Sequence, residues 1–244
     1  MLPSPNLAVL REAVRRLEAG RRKHAGLLPF SVAALDEKLA GGLALGAVHD
    51  VAGGEGAADD AAATLFVAGI LARLSGPVLW CLARPDFFAP GPAQAGLAPD
   101  RVIYAEVREE AARLASCEEG LRHASLAGVV VELSRLSMVQ SRRLQLAAEE
   151  GGGLGIVLRR WRRAGDAAGF SQPNAAATRW RISAAPSVSL PVPGIGLPRW
   201  RVELLRCRGG GTADVILEAC DEQGHLGLPA GLADRAFGAR RRRA

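Results

Sequence analysis

Residues 41–74 read GGLALGAVHDVAGGEGAADDAAATLFVAGILARL, and their order decides the fold. Gly46 to Ala52 form a short apolar stretch that predicts a buried strand. Gly53, Gly54, Glu55 and Gly56 make a glycine-rich turn, and the alanine-rich run to about Leu74 predicts a helix. Strand, glycine turn, helix is the layout of a phosphate-binding loop, which needs GxxxxGK[ST]. In that motif backbone N–H groups turn inward, the lysine reaches the outer phosphates, and the hydroxyl holds Mg²⁺. Counted from Gly53, Ala58 stands at the second glycine, Asp59 at the lysine and Asp60 at the hydroxyl. Two carboxylates therefore stand where a triphosphate would need a cation, and like charges in a partly desolvated site repel strongly. The chain's only lysines, Lys23 and Lys38, precede the loop, and no arginine lies between Asp50 and Arg73. The stretch reads as a nucleotide-binding architecture without its chemistry; the plainer alternative is an ordinary glycine turn.

Around this centre the 244 residues alternate apolar strands with amphipathic helices. Pro77 to Ala83, Val102 to Ala105, Gly128 to Leu133 and Gly155 to Leu158 predict strands, and residues 108–124 and 136–150 predict helices. That alternation predicts an α/β fold with a mainly parallel sheet covered on both faces. Residues 200–207 and 213–219 flank Gly209, Gly210 and Gly211 and predict two antiparallel strands at one edge. Phe87 and Phe88 anchor a proline-rich connection. Three units follow: an N-terminal amphipathic helix and linker over 1–26, a core over 27–228 and a basic tail over 229–244. In the first, Leu7, Leu10, Val14 and Leu17 recur on one helical face behind Ser4 and Pro5, suited to docking on the same chain or on a partner. The tail carries Leu232, Phe237 and Arg240, Arg241, Arg242 and Arg243, free to meet a partner.

The entry to the core narrows the reading. Leu35-Asp36, Leu39, Gly41-Gly42-Leu43 and Gly46, followed by a strand into the loop, are similar to the entry of RecA-type recombinase cores. More narrowly, the chain from about Leu27 to Leu226 resembles the ImuA family, RecA-like accessory proteins of bacterial damage-inducible mutagenesis. The resemblance implies a RecA-like core and a scaffold role in SOS-induced translesion synthesis. It also implies contacts with the recombinase RecA, with ImuB (an inactive Y-family polymerase homologue) and, indirectly, with an error-prone C-family polymerase. By the same resemblance, Glu132 stands at the strand end that supports Mg²⁺ in working relatives. With no phosphate cradle it has nothing to act on, and an ion pair with an arginine such as Arg135 is the structural alternative. One DNA-binding loop of a recombinase is missing after Leu133, where only Ser134 and its neighbours remain. Where the second such loop begins stand Arg159, Arg160, Trp161, Arg162 and Arg163.

That cluster keeps DNA open as a ligand. Arg-Trp-Arg recurs at Arg179-Trp180-Arg181 and Arg199-Trp200-Arg201, and aromatic rings between guanidinium groups suit single-stranded nucleic acid. Period-two alternation gives the other reading, with tryptophan turned inward and arginine outward from strands. A net charge of +6 and a pI of about 9.9 favour an anionic partner. Cys81, Cys117, Cys207 and Cys220 form no CxxC pair, His24, His49, His123 and His225 are isolated, and no metal spacing occurs. No metal, cofactor or catalytic residue is therefore expected. The absence of a signal pattern or a long apolar run predicts a cytoplasmic protein, associated with the nucleoid when DNA is damaged, and no membrane partner. A single-stranded-DNA-binding RecA paralogue and a cell-division inhibitor of the SulA kind are the alternative functions.

Overall fold

A computed structural model describes residues 26–54, 56–84, 90–161, 164–188, 194 and 196–229. The expectations for Leu7, Leu10, Val14, Leu17, Glu55, Phe87, Phe88, Arg162, Arg163, Leu232, Phe237 and Arg240 to Arg243 fall outside these residues. The strands are β1 (Leu27–Leu28), β2 (Leu43–Ala44), β3 (Val48–Gly53), β4 (Val78–Leu82), β5 (Val102–Glu106), β6 (Gly128–Leu133), β7 (Leu154–Arg159), β8 (Thr178–Ala185), β9 (Arg199–Cys207) and β10 (Ala213–Glu218). The helices are α1 (Ala33–Asp36), α2 (Ala57–Ala72), α3 (Pro90–Gln94), α4 (Glu110–Arg122) and α5 (Met138–Gly151). Eight strands form one sheet in the order β10-β9-β8-β3-β7-β6-β4-β5, and β1 pairs with β2 apart from it. From β5 to β8 every pairing is parallel; β9 and β10 are antiparallel and close one edge. This is the expected α/β fold, compatible with a RecA-like core, and it puts β3 and its glycine turn in the middle of the sheet.

Burial explains why the central strands read as continuous apolar runs. Every residue of β3, β6 and β7 is buried, because α2 covers one face and α4 and α5 the other. On the α2 side Trp180 meets Phe30 and Phe66, with ring centroids 5.6 Å away in each case. On the other side Cys117, Leu121, Leu144 and Ala148 pack on Val129, Val131 and Val157. Two helix ends have identifiable stops. Ser137 and Gln140 make a reciprocal capping box at the start of α5, and Gly152 closes its end with φ 76°. The end of α2 is held from outside: Arg101 donates to the carbonyls of Ala72 at 3.1 Å and Leu71 at 3.3 Å, and also to that of Leu74. This clamp stops the helix at Ala72, two residues before Leu74.

Within β3, His49 is sealed in a chain of hydrogen bonds. Its Nε2–H donates to the Ala44 carbonyl at 2.9 Å, so Nδ1 accepts from the Thr178 hydroxyl at 2.7 Å. The Thr178 oxygen in turn accepts from the Trp180 indole N–H at 2.6 Å. Every polar atom of the chain is used with the imidazole neutral. Burial accordingly drives the His49 pKa down from 6.5 to about 4. Between these values the unfolded chain binds a proton that the folded chain does not. Stability is therefore complete above about pH 6.5 and declines as the pH falls toward 4. The expected loss is on the order of 3 kcal/mol. Urea unfolding across this range should show the slope in the natural chain and a flatter one in His49→Gln.

Candidate functional site

The glycine turn sits at the C-terminal end of β3, where parallel α/β sheets hold their ligands. Gly56 precedes α2 at φ 138°, a conformation open to glycine, and offers no side-chain cap. The first turn of α2 supplies its own anions instead. Asp59 crosses to β8, where its Oδ1 accepts the Ala184 N–H at 2.7 Å. A Cβ on Gly54 would lie 2.3 Å from Asp59 Oδ2 and 2.8 Å from Ser183 Oγ. A Cβ on Gly53 would lie 2.9 Å from the backbone of Asp59 and Asp60. Glycine at both positions lets the helix start close down on the strand, so the carboxylate of Asp59 fills the space above Gly54. Ala58, at the second glycine of the motif, is exposed.

Asp60 is half-buried beside it, with its carbonyl accepting the Thr64 hydroxyl at 2.8 Å. Burial raises its pKa, Arg160 pulls it back down and Asp59 adds to the rise. Arg160, at the end of β7, thus faces the loop. Two stretches that are a hundred residues apart in sequence meet here. Negative charge in the first turn is favourable against the helix dipole, and a bound phosphate would occupy the same field. No ammonium group serves this end among the described residues. Lys38 lies at the other end of the sheet, its carbonyl accepting the Gly211 N–H at 3.1 Å near Cys207, which pairs with Thr178 at the start of β8.

Glu132 lies in β6 and is buried. Its Oε1 accepts the Trp80 indole N–H at 3.3 Å, and its backbone carbonyl accepts the Arg113 Nε–H at 2.8 Å. Arg113 is itself buried and donates onward to the Val107 carbonyl at 2.6 Å. The carboxylate is thus tied to β4 and the backbone carbonyl to α4.

The arginines take positions the sequence did not reveal. Along β8 and β9, Trp180 and Trp200 turn into the α2 core, as alternation predicts. The intervening arginines of β8 turn to the opposite face, but Arg179 does not reach solvent. It lies beside Asp50, which is 0% exposed. Arg159 donates to Asp50 Oδ1 at 2.7 Å, while Asn174 at 2.7 Å and Arg179 at 3.2 Å donate to Oδ2. The ring of Phe170 lies over this layer, its centroid 5.1 Å from the Arg179 guanidinium and 5.8 Å from that of Arg159. Trp161 meets Phe170 edge-on at 5.4 Å and donates to the Ser134 carbonyl at 3.3 Å.

The reason is a gap in regular structure. Between β7 and β8 the chain makes a short 3₁₀ segment, Ala164–Ser171, and then runs irregularly across the sheet. Its carbonyls lack the partners a helix or strand would give, and buried carbonyls must find donors. Arginines provide them: Arg179 to Gln172 at 2.7 Å, Arg206 to Ala176 at 2.5 Å, and Arg208 to Ala175. Crowding of these cations has a cost. The Arg206 pKa is lowered, mainly by burial and further by Arg179 and Arg208. Arg159, read from sequence as a nucleic-acid contact, is only 1% exposed and spent on Asp50 and on the Ser134 carbonyl. Arg160 and Trp161 are half-buried, the first beside Asp60 and the second on Phe170. In β9, Arg201 is exposed and forms a two-pronged pair with Asp214 at 2.9 and 2.6 Å. The sequence reading passed over Asp50. The available signal was a lone carboxylate inside an apolar strand, which demands buried cations elsewhere.

Asp50→Asn should therefore destabilise the fold by about 3–5 kcal/mol, because two guanidinium groups lose their counter-charge inside the protein. Arg160→Ala, at the rim, should cost less than about 1 kcal/mol. Urea unfolding of the two variants measures the difference.

Among the described residues no cluster of His, Cys, Asp or Glu could hold a metal ion, and no helix is long and apolar enough to cross a membrane. No protein-family model matches the chain. It is 40% identical over 219 residues to Protein ImuA of Caulobacter vibrioides strain NA1000 / CB15N, covering 86% of this chain and 89% of that protein. Protein ImuA of Caulobacter vibrioides strain ATCC 19089 / CIP 103742 / CB 15 matches with the same identity and coverage. With this identity and coverage, the chain belongs to the ImuA family.

Proposed function

We propose that this chain is a non-catalytic, RecA-like accessory protein of damage-inducible mutagenesis, working as a scaffold in translesion synthesis. Kinship with ImuA proteins supports the process. The mode of action rests on one observation, the Asp59 carboxylate seated above Gly54 on the Ala184 N–H. A protein whose phosphate loop carries its own anions acts by touching other macromolecules. The partners proposed are RecA and ImuB, with the C-family polymerase reached through them. The docking residues proposed are Leu7, Leu10, Val14 and Leu17 ahead of the core, and Leu232, Phe237 and Arg240 to Arg243 after it.

Direct coating of single-stranded DNA is the weaker reading. It needs free guanidinium groups, and Arg159 and Arg179 are committed to Asp50. Deleting residues 1–22 or 232–244 should abolish the pull-down of one partner, RecA or ImuB, while circular dichroism reports a folded core. Retention of both partners by both truncated chains would contradict the docking assignment.

A further inference from the structure

The outer face of α5 carries apolar side chains where a surface helix carries polar ones. Val139 is 69% exposed, Leu146 64% and Met138 36%. Seven residues apart on one side of the helix, Val139 and Leu146 are separated by about 10 Å. The helix cannot roll to bury them, because its inner face is already fixed. Ser141 Oγ accepts the Ala175 N–H at 2.8 Å, and Gln145 Oε1 accepts the Val48 N–H at 3.0 Å. Leu144, Ala147 and Ala148 fill the core beneath.

The charges around this stripe decide what fits it. Arg142 lies between Val139 and Leu146, exposed and with no acidic partner among the described residues, and Arg135 is exposed just ahead of the helix. Arg143 is held by Glu118 of α4 at 2.6 Å. One turn before that ion pair, Ala115 of α4 and Val139 of α5 are both exposed, so the stripe has a low flank. The far end of the helix is acidic, with Glu149 and Glu150 exposed. A nucleic-acid strand would meet those carboxylates with its phosphates and gain nothing from Val139 and Leu146. A second copy laid antiparallel would set Val139 on Leu146, but it would bring both copies of Arg142 and Arg143 together at the centre. A helix with leucines seven apart and carboxylates between them answers the apolar and the basic residues at once. We propose that α5 is a docking helix for an acidic amphipathic helix of another protein. The partner's leucines pack on Val139 and Leu146, and its carboxylates pair with Arg142 and Arg135. This face belongs to the core and is separate from the terminal segments assigned to RecA and ImuB, so each assignment stands without the other.

The probe is a fluorescein-labelled heptad peptide with leucine at a and d and glutamate at e and g, whose like-charged flanks keep it monomeric. A matched peptide carries lysine at e and g. Fluorescence anisotropy with the full chain should show binding of the glutamate peptide in preference to the lysine peptide. Val139→Ser/Leu146→Ser and Arg142→Glu should each weaken binding of the glutamate peptide at least about tenfold, with an unchanged urea midpoint. Arg142→Glu should also gain affinity for the lysine peptide, a reversal that only direct charge contact produces. Equal affinity of the natural chain for both peptides overturns the proposal, as does unchanged affinity in the two variants. An oligothymidine strand that binds and is lost in Arg142→Glu, with the glutamate peptide unaffected, overturns it in favour of nucleic acid. A dimer in sedimentation that Val139→Ser/Leu146→Ser splits overturns it in favour of a second copy.

Discussion

The bond from the Ala184 N–H to the Asp59 carboxylate is the constraint on which the functional account depends. It ties the start of α2 to β8 across the end of β3, in the space a phosphate-binding loop keeps clear. Charge, geometry and backbone agree there. A carboxylate suits the positive end of a helix. The two glycines leave room for it, since a side chain at Gly54 would collide with it. The N–H it captures belongs to the end of a strand beyond the pairing with β3, where a backbone donor needs a partner. The first turn of α2 is thus tied to β8 by the protein's own groups.

A second internal anion organises the other face. Asp50 sits under the irregular crossing from β7 to β8 and draws Arg159, Arg179 and Asn174 around itself. Arg179 also holds the Gln172 carbonyl of the crossing, and Arg159 the Ser134 carbonyl just after β6. Arg159 and Arg179 are therefore spent inside the fold, whereas Arg135, Arg142, Arg143 and Arg201 are exposed. In both places an aspartate performs inside the protein what an outside anion would do in a nucleotide- or DNA-binding relative.

Local pattern carried much of this structure. The apolar run Gly128 to Leu133 became β6 with the same ends, and the two strands around Gly209 to Gly211 became the antiparallel edge. The glycine turn lies where the sequence places it, at the C-terminal end of the central strand β3. Small shifts came from tertiary contacts: β3 runs to Gly53 because it pairs with Ile182 there, and α2 ends where Arg101 gathers its carbonyls. The arginine layer was not legible. Arg159, Asn174 and Arg179 lie 109, 124 and 129 residues from Asp50, so no window of sequence contains the pair. Period two located the tryptophans, but it could not say that the face opposite them would be roofed by Phe170 and not by water.

A crystal of the full chain soaked with ATP and magnesium tests the central claim most directly. The account predicts Asp59 Oδ1 still on the Ala184 N–H and no ordered nucleotide over Gly53 to Gly56. An ordered triphosphate there, with Asp59 swung away from β8, would contradict it.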